Sequence, residues 1–432
     1  MTHAVDSPEF VRLARRGLVI LTLINLFNYL DRYVLSALAE TLKRDPAEGG
    51  LGLKNVEVGS LFTAFIVVYM LTSGIFGSLG DRLSRPRLIA VGVLIWSVAT
   101  ALGGLAVGFW SLFFARALVG VGEAAYGTIS PSLLADYYPR RSRGRVFSIF
   151  FAAIPIGSAL GFILGGYADS HFGWRAAFYI AGFPGLALAM LALTLMDPTR
   201  GIHEGGSSVP DAIPAGPSKS GGFRSYIPLF SNRPYRFAIL GYAAATFAAG
   251  GLGAWMPAFL ENARGATKSE ATVSFGVITV LTGLFGTYVG GVLGDRLLKR
   301  TKHAYLWISG ISTLIAAPFV FLALTLESRP LYLAAIVVGE LFLFASTGPV
   351  NSAIVNSVRP NQRVAAVALS IFTIHLLGDV PSPPLIGWIA DGTNLATGVL
   401  LVPAAVFVSG LVFTYGAWRG ERGDRSVPAA AP

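Results

Sequence analysis

The chain has 432 residues, of which 53% are hydrophobic and 13% are charged, about half the charged share of a typical soluble domain. So few polar residues cannot cover a soluble core, which indicates an integral membrane protein. The net charge of +10 does not indicate nucleic-acid binding, because the basic residues fall in short segments between apolar runs.

Twelve apolar runs reach the length of a transmembrane helix, roughly 20 residues. The first set covers 17–39, 57–79, 88–107, 111–137, 145–168 and 174–196, and the second covers 236–262, 271–293, 303–325, 331–357, 364–391 and 396–418. The first run is too long for the apolar part of a signal peptide, so we expect a retained helix. Because only helices and closed barrels satisfy their backbone in lipid, and these runs are too long for barrel strands, we predict an all-α membrane protein with twelve transmembrane helices.

The two sets of spans predict two six-helix halves. We expect an N-terminal bundle over 1–196, a flexible cytoplasmic linker rich in Gly, Pro and Ser over 197–235, a C-terminal bundle over 236–420 and a disordered cytoplasmic tail over 421–432. With the N-terminus inside, 24 Lys and Arg residues lie in inner segments and 7 in outer loops. This bias predicts that both termini are cytoplasmic. We expect the protein to lie in the cell's inner membrane.

Short motifs recur in the same order in the two halves. GSLGDRL at 77–83 recurs as GVLGDRL at 291–297, VGE at 121–123 recurs at 338–340, and SIF at 148–150 recurs at 370–372. Ordered matches at a nearly constant offset indicate a duplication with both halves in one orientation. Such halves usually meet at a substrate site near the midplane, so we expect a central cavity.

The repeated GxLxDR element resembles the loop signature of the major facilitator superfamily, and it follows the second and eighth spans as that family requires. A carboxylate at this helix end can meet a neighbouring helix N-terminus and loop arginines. We therefore expect a cytoplasmic gate, and the alternative is a polar turn that only fixes topology. Its candidate residues are Asp81, Arg82, Asp295 and Arg296.

Charged residues inside spans are costly in lipid and usually functional. Arg116 and Glu123 are seven residues apart on the fourth span and share one face. At 1.5 Å per residue, they and the first-span pair Asp31 and Arg32 fall in the outer half of the cavity. We expect a proton switch, in which protonation of Glu123 or Asp31 frees Arg32 or Arg116 to bind a phosphate or carboxylate. A static salt-bridge network that fixes helix packing is the alternative.

The second half carries fewer ionisable residues within its spans. Glu340 lies on the tenth span, and His375 and Asp379 lie four residues apart on one face of the eleventh. We expect substrate or coupling roles for these three residues, with hydrogen-bonded packing as the alternative. The prolines that follow, at 381, 383 and 384, predict a hinge or a simple kink.

The rest of the predicted cavity is apolar and aromatic. Asn28, Tyr29 and Tyr126 are further substrate candidates, beside aromatic residues at 65, 69, 151, 255 and 372. Few polar groups among many rings favour an amphiphile over a sugar. Asp136 and Asp391 end their spans, where we expect them to be solvated.

The sequence gives no sign of an enzyme. It has no cysteine, its five histidines lack metal-ligand spacing, and it contains no nucleotide-binding loop or nucleophile triad. We expect no cofactor and no metal. A membrane enzyme and a receptor without transport are the hypotheses of other classes.

Four stretches carry a closer family resemblance. They are NYLDR at 28–32, RALVGVGEA at 116–124, SIF at 148–150 continuing to GS at 157–158, and HLLGD at 375–379 leading to PSP at 381–383. In order and position they resemble the spinster family of lipid transporters over nearly the whole chain, as a bacterial member.

The resemblance implies a secondary active transporter of lysolipids or sphingosine-1-phosphate-like amphiphiles that works by alternating access. It also implies a protonation-sensitive role for Asp31, Arg32 and Glu123, with Arg116 nearby. The expected partners are an amphiphilic lipid, protons and the bilayer, with no nucleic acid and a monomeric chain. The alternative is a proton-coupled carrier of small organic anions such as sugar acids.

Overall fold

The computed structural model describes residues 7–80, 82–200, 202–204, 227–358 and 363–425. Asp81, a predicted gate residue, and most of the predicted linker lie outside these ranges. Within them the regular secondary structure is entirely helical.

Six long helices build the first part of the chain. They are α1 (Pro8–Lys43), α2 (Asn55–Gly80), α3 (Arg85–Gly103), α4 (Phe109–Tyr137), α5 (Arg140–Phe172) and α6 (Trp174–Ala192). The Ser7 hydroxyl caps α1 by accepting from the backbone N–H of Phe10 at 3.2 Å. Gly173 joins α5 to α6 with a φ of +82°, a conformation that favours glycine and allows the abrupt reversal.

The second part contains more helices because several are interrupted. They are α7 (Ile227–Ser231), α8 (Arg233–Arg264), α9 (Lys268–Leu298), α10 (Ala304–Thr325), α11 (Arg329–Ala345), α12 (Thr347–Asn356), α13 (Arg363–Ile374), α14 (Ser382–Gly392), α15 (Leu395–Gly398) and α16 (Leu401–Arg425). A π-helical segment, His375–Asp379, connects α13 to α14. Short 3₁₀ turns occur at Pro46–Glu48 and Ile202–Glu204.

Ten helical stretches in the described part of the chain are long and apolar enough to cross a membrane. The predicted first and eleventh spans are not among them. Helix α1 covers the first, but Asn25, Asn28, Asp31 and Arg32 lower its hydropathy. The eleventh is divided between α13, the π-helical segment and α14. The count of twelve spans and the cytoplasmic termini stay predictions.

The described helices form two compact units. One unit contains α1 to α6 with Leu260–Gly276, and the other contains the remaining described helices. Residues 260–276 belong to the second half of the sequence, yet they pack in the first unit. There Lys268 forms an ion pair with Asp169, and Phe275 packs edge-on against Phe162 with 5.1 Å between ring centroids.

Close helix contacts in the first unit depend on glycine. A Cβ at Gly122 of α4 would lie 2.4 Å from the carbonyl oxygen of Gly92 on α3, and a Cβ at Gly161 of α5 would lie 2.4 Å from that of Leu30 on α1. Neither position has room for a larger residue, and small residues are what let membrane helices approach closely. These contacts fix the helices that carry the charged residues.

Candidate functional site

Two ion pairs connect α1 to α4 inside the first unit. The Arg32 Nε donates to Glu123 Oε2 at 2.7 Å, and the Arg116 Nη1 donates to Asp31 Oδ1 at 3.2 Å. The Thr100 hydroxyl, from α3, donates to Asp31 Oδ2 at 2.6 Å. The structure thus brings together the four charges that the sequence singled out. Both charged residues of the fourth span, Arg116 and Glu123, pair with residues of α1. Thr100 is a further partner that we did not predict from the sequence.

The four charged side chains differ in exposure. Those of Asp31 and Glu123 are 0% exposed and that of Arg116 is 2% exposed, while Arg32 is 23% exposed. Arg32 is therefore the member of the cluster that a ligand can reach without rearrangement. Arg116 is buried and paired with the buried Asp31.

Aromatic rings surround the accessible guanidinium. The Arg32 Cζ lies 4.8 Å from the ring centroids of Tyr29 and Phe65 and 5.1 Å from that of Tyr69. Phe65 also lies 5.5 Å from the Arg116 Cζ. We call Tyr29, Phe65 and Tyr69 the aromatic collar. Its ring faces favour a cation between them and give the site apolar walls.

Three buried polar atoms of the site have no hydrogen-bond partner within the described part of the chain. They are Glu123 Oε1, Arg116 Nε and Asn28 Nδ2. Buried polar groups in proteins are nearly always paired, so an unpaired one usually marks a place for water, a ligand or a proton. The arrangement thus leaves one acceptor and two donors for further partners.

Tyr126 is placed differently from the other substrate candidates. It is 1% exposed, and its hydroxyl donates to the carbonyl of Leu21 at 2.7 Å. This contact ties α4 to α1 and occupies the hydroxyl proton. The geometry favours a packing role for Tyr126.

In the second unit the predicted His375 and Asp379 are in contact. The His375 Nδ1 lies 2.9 Å from Asp379 Oδ1, and both side chains are partly exposed. They stand at the two ends of the π-helical segment, a feature frequent at functional sites. The Trp255 Nε1 donates to the carbonyl of Pro383 at 3.0 Å, just beyond this irregular segment.

Glu340 is also in the second unit. It is 5% exposed and lies beside the hydroxyls of Thr279 and Thr282 on α9. Unlike Glu123, it forms no ion pair with any residue that the structure describes. The tenth-span candidate is therefore a buried carboxyl group among hydroxyls.

The predicted gate residues lie at helix ends. Arg82, Asp295 and Arg296 are exposed, and the Tyr305 hydroxyl donates to Asp295 Oδ1 at 2.9 Å. The second copy of the loop motif is thus tied to α10 through a tyrosine.

A buried network of charges follows the first copy of the loop motif, and we did not predict it from the sequence. Arg85, 1% exposed at the start of α3, forms ion pairs with Asp136 and Asp197 and donates to the Pro198 carbonyl at 2.7 Å. The expectation that Asp136 is solvated was wrong, because α3 brings this guanidinium to it, whereas Asp391 is exposed as expected. The sequence feature that could have predicted this network is the presence of Arg85, Asp136 and Asp197 at the predicted cytoplasmic ends of three spans.

No group of three His, Asp or Glu side chains that could hold a metal ion occurs within the described ranges.

Comparison with known proteins gives the family. The sequence profile of the Major Facilitator Superfamily matches residues 21–378. The "Probable sphingolipid transporter spinster homolog 2" of Arabidopsis thaliana is 32% identical over 426 residues, covering 92% of this chain and 87% of that protein. The "Sphingosine-1-phosphate transporter SPNS2" of Mus musculus is 32% identical over 423 residues, covering 91% and 75%.

A solved structure shows the same fold. It is the crystal structure of a bacterial homolog of the human lysosomal transporter Spinster, with a TM-score of 0.79 at 23% identity, covering 96% of this chain and 99% of that one. The predicted fold class is confirmed, and the chain is a multi-pass membrane protein. It belongs to the Major Facilitator Superfamily and, within that superfamily, to the spinster family of transporters.

Proposed function

We propose that this transporter moves lysolipids or sphingosine-1-phosphate-like amphiphiles by alternating access, as a secondary active carrier coupled to protons. The observation that carries the proposal is the position of Arg32. It is the accessible charge of a buried cluster, it is bound to a carboxylate, and it lies within the aromatic collar.

Arg32 suits the head group of an anionic lipid. A guanidinium offers a planar fork of donors that matches phosphate and carboxylate oxygens. The Arg32 Nε is bound to Glu123, so a head group competes with this carboxylate for the same cation. The rings of Tyr29, Phe65 and Tyr69 offer apolar contact beside the charge, which suits a molecule with a polar end and an apolar body.

A proton on Glu123 would decide this competition. Glu123 Oε1 has no partner among the described residues, so it is the oxygen that can take a proton without breaking a hydrogen bond. The neutral acid then holds Arg32 less strongly, since hydrogen bonds between charged groups are roughly twice as strong as neutral ones. One proton taken up thus frees one cation for one anionic head group.

Asp31 and Arg116 form the second part of the proposed switch. Among the described residues, Asp31 accepts hydrogen bonds from two donors, Arg116 and Thr100, whereas Glu123 accepts from one, Arg32. We therefore assign the first protonation to Glu123. The Asp31–Arg116 pair keeps the fourth and first helices together while Arg32 is released.

The names of two relatives support a lipid substrate, since one is called a probable sphingolipid transporter and another a sphingosine-1-phosphate transporter. A small organic anion such as a sugar acid is the alternative substrate, because the same guanidinium would bind its carboxylate. The aromatic collar favours the amphiphile, since a sugar acid has no apolar body to place against it.

The test is uptake into liposomes that contain the purified transporter. Fluorescent lysophosphatidate that albumin can no longer extract from the outer leaflet reports lipid transport, and radiolabelled glucuronate reports the alternative. Arg32→Gln is expected to reduce lipid transport by about tenfold or more, the loss of a charge-assisted contact. Arg175→Gln is the matched control, because Arg175 also lies on an aromatic ring, 4.2 Å from Trp174, outside the cluster.

Lipid transport that Arg32→Gln removes and Arg175→Gln preserves would support the proposal. Glucuronate uptake without lipid transport would favour the alternative substrate. Equal lipid transport by both variants would reject Arg32 as the head-group contact.

A further inference from the structure

Glu340 is a buried carboxyl group in the second unit that pairs with no cation among the residues that the structure describes. It lies on α11, 5% exposed, and its oxygens contact hydroxyls of α9. The Thr282 Oγ1 lies 3.0 Å from Glu340 Oε2, and the Thr279 Oγ1 lies 3.3 and 3.4 Å from Oε1 and Oε2. An ionised carboxylate without a cation is expensive in such a place.

The hydrogen bonds of Thr282 indicate where a proton lies. Its hydroxyl is 2.7 Å from the carbonyl oxygen of Ile278 and 3.0 Å from Glu340 Oε2. The hydroxyl has one proton, and the carbonyl can only accept. If Thr282 donates to Ile278 over the shorter distance, its contact with Glu340 is satisfied when the carboxyl group is the donor. This requires a protonated Glu340, which then accepts from Thr279.

Within the described residues, α9, α10 and α11 place no charged side chain beside Glu340 that would change this assignment. The nearest titratable side chains on α9 and α11 are Tyr288, six residues from Thr282, and Tyr332, eight from Glu340, about 9 and 12 Å along the helix axes. The nearest charged residue on α9 is Glu270, about 13 Å along the axis from Thr279. Helix α10 carries no charged residue, and its Val320 packs against Gly339, beside Glu340.

The internal repeat sharpens the contrast with Glu123. Both glutamates end the repeated VGE motif, so they hold equivalent positions in the two halves. Seven residues before Glu123 stands Arg116, whereas Leu333 holds that place before Glu340. The second half thus keeps the carboxyl group and has hydroxyls in place of a cation.

We propose that Glu340 is a second proton-binding site, a neutral carboxylic acid that donates to Thr282 and accepts from Thr279. Binding forms one O–H bond on a carboxylate oxygen, and release returns the proton to water. The site deepens the proposed proton coupling, but its occupancy does not depend on which substrate is carried.

Infrared spectroscopy of the transporter in liposomes tests the site directly. The C=O stretch of a neutral carboxylic acid lies apart from the amide bands and shifts in D₂O. At neutral pH we expect such a band in the wild type and in Glu123→Gln, and its loss in Glu340→Gln. A wild-type spectrum from which Glu340→Gln removes no such band would overturn the proposal.

Two isosteric variants test the direction of the hydrogen bonds. If Glu340 donates to Thr282, then Thr282→Val removes an acceptor and weakens proton binding, whereas Thr279→Val removes a donor to the carboxyl oxygens and strengthens it. Each change is expected to be about two- to tenfold in proton affinity, read from the pH at which half of the band is lost. An ionised Glu340 that accepts from both threonines would instead bind its proton more tightly in both variants, which would contradict the proposal.

These measurements use no substrate. A failed lipid-uptake assay would leave the infrared result unchanged, and a missing carboxylic acid band would leave the role of Arg32 unchanged.

Discussion

Arg32 pairs with Glu123 and Arg116 pairs with Asp31, so each ion pair joins α1 to α4. This pairing predicts which substitutions are energetically coupled. Asp31 and Arg116 are 0% and 2% exposed and 3.2 Å apart. Removing one partner of a buried pair leaves the other charge uncompensated, at a cost of about 3–5 kcal/mol. Asp31→Asn and Arg116→Gln are each expected to destabilise the protein by that amount. The double variant leaves neither charge, so it should cost no more than either single change.

The corresponding coupling energy is about 3–5 kcal/mol, at or above the upper end of what contacting residues show. Unfolding in mixed micelles of sodium dodecyl sulfate and dodecyl maltoside, followed by tryptophan fluorescence, measures each free energy. Arg116 with Glu123, on the same helix but not hydrogen-bonded to each other, is the control cycle and should couple clearly less than Asp31 with Arg116. Additive effects for Asp31 and Arg116, with strong coupling in the control cycle, would refute the pairing across α1 and α4.

Two further predictions concern the scaffold of the site. Gly122→Val is expected to abolish folding or to destabilise the protein by several kcal/mol, because even a Cβ would lie 2.4 Å from the Gly92 carbonyl oxygen; expression and gel filtration check this, and a monodisperse variant with wild-type stability would contradict it. Arg85→Gln should cost about 3–5 kcal/mol because it removes the buried cation that pairs with Asp136 and Asp197, and Asp136→Asn in the same chain should recover part of the loss; melting measurements on the single and double variants check this, and additive losses would contradict it.

The sequence singled out four charged residues within the spans but did not indicate how they pair. Charged residues in a span are rare because of their cost, so Asp31, Arg32, Arg116 and Glu123 were identifiable one by one. Their partners depend on the rotation of α1 against α4. That rotation is set by contacts between distant residues, such as the approach of Gly161 to Leu30, which no local pattern reports.

Other differences have the same origin. Asp136 ends its helix and was expected in solvent, but a guanidinium from α3 reaches it inside the unit. Glu340 was recognised as an intramembrane acid, yet its threonine partners follow from how α9 packs on α11. The all-helical architecture was accessible because the length and apolar character of each span are local properties. The first span is not among the stretches apolar enough to cross a membrane, and its helix carries Asn25, Asn28, Asp31 and Arg32.

The most direct test of the central claim is uptake of a fluorescent lysolipid into liposomes, with and without a pH gradient. It compares the wild type with Glu123→Gln and with Glu327→Gln, a control at an exposed loop position. One proton per substrate lets each pH unit support about a tenfold substrate gradient. We predict stimulated flux in the wild type and the control, and lipid flux without stimulation in Glu123→Gln. Equal stimulation in all three would discard Glu123 as the switch, and no lipid flux in any would contradict a proton-driven lipid carrier.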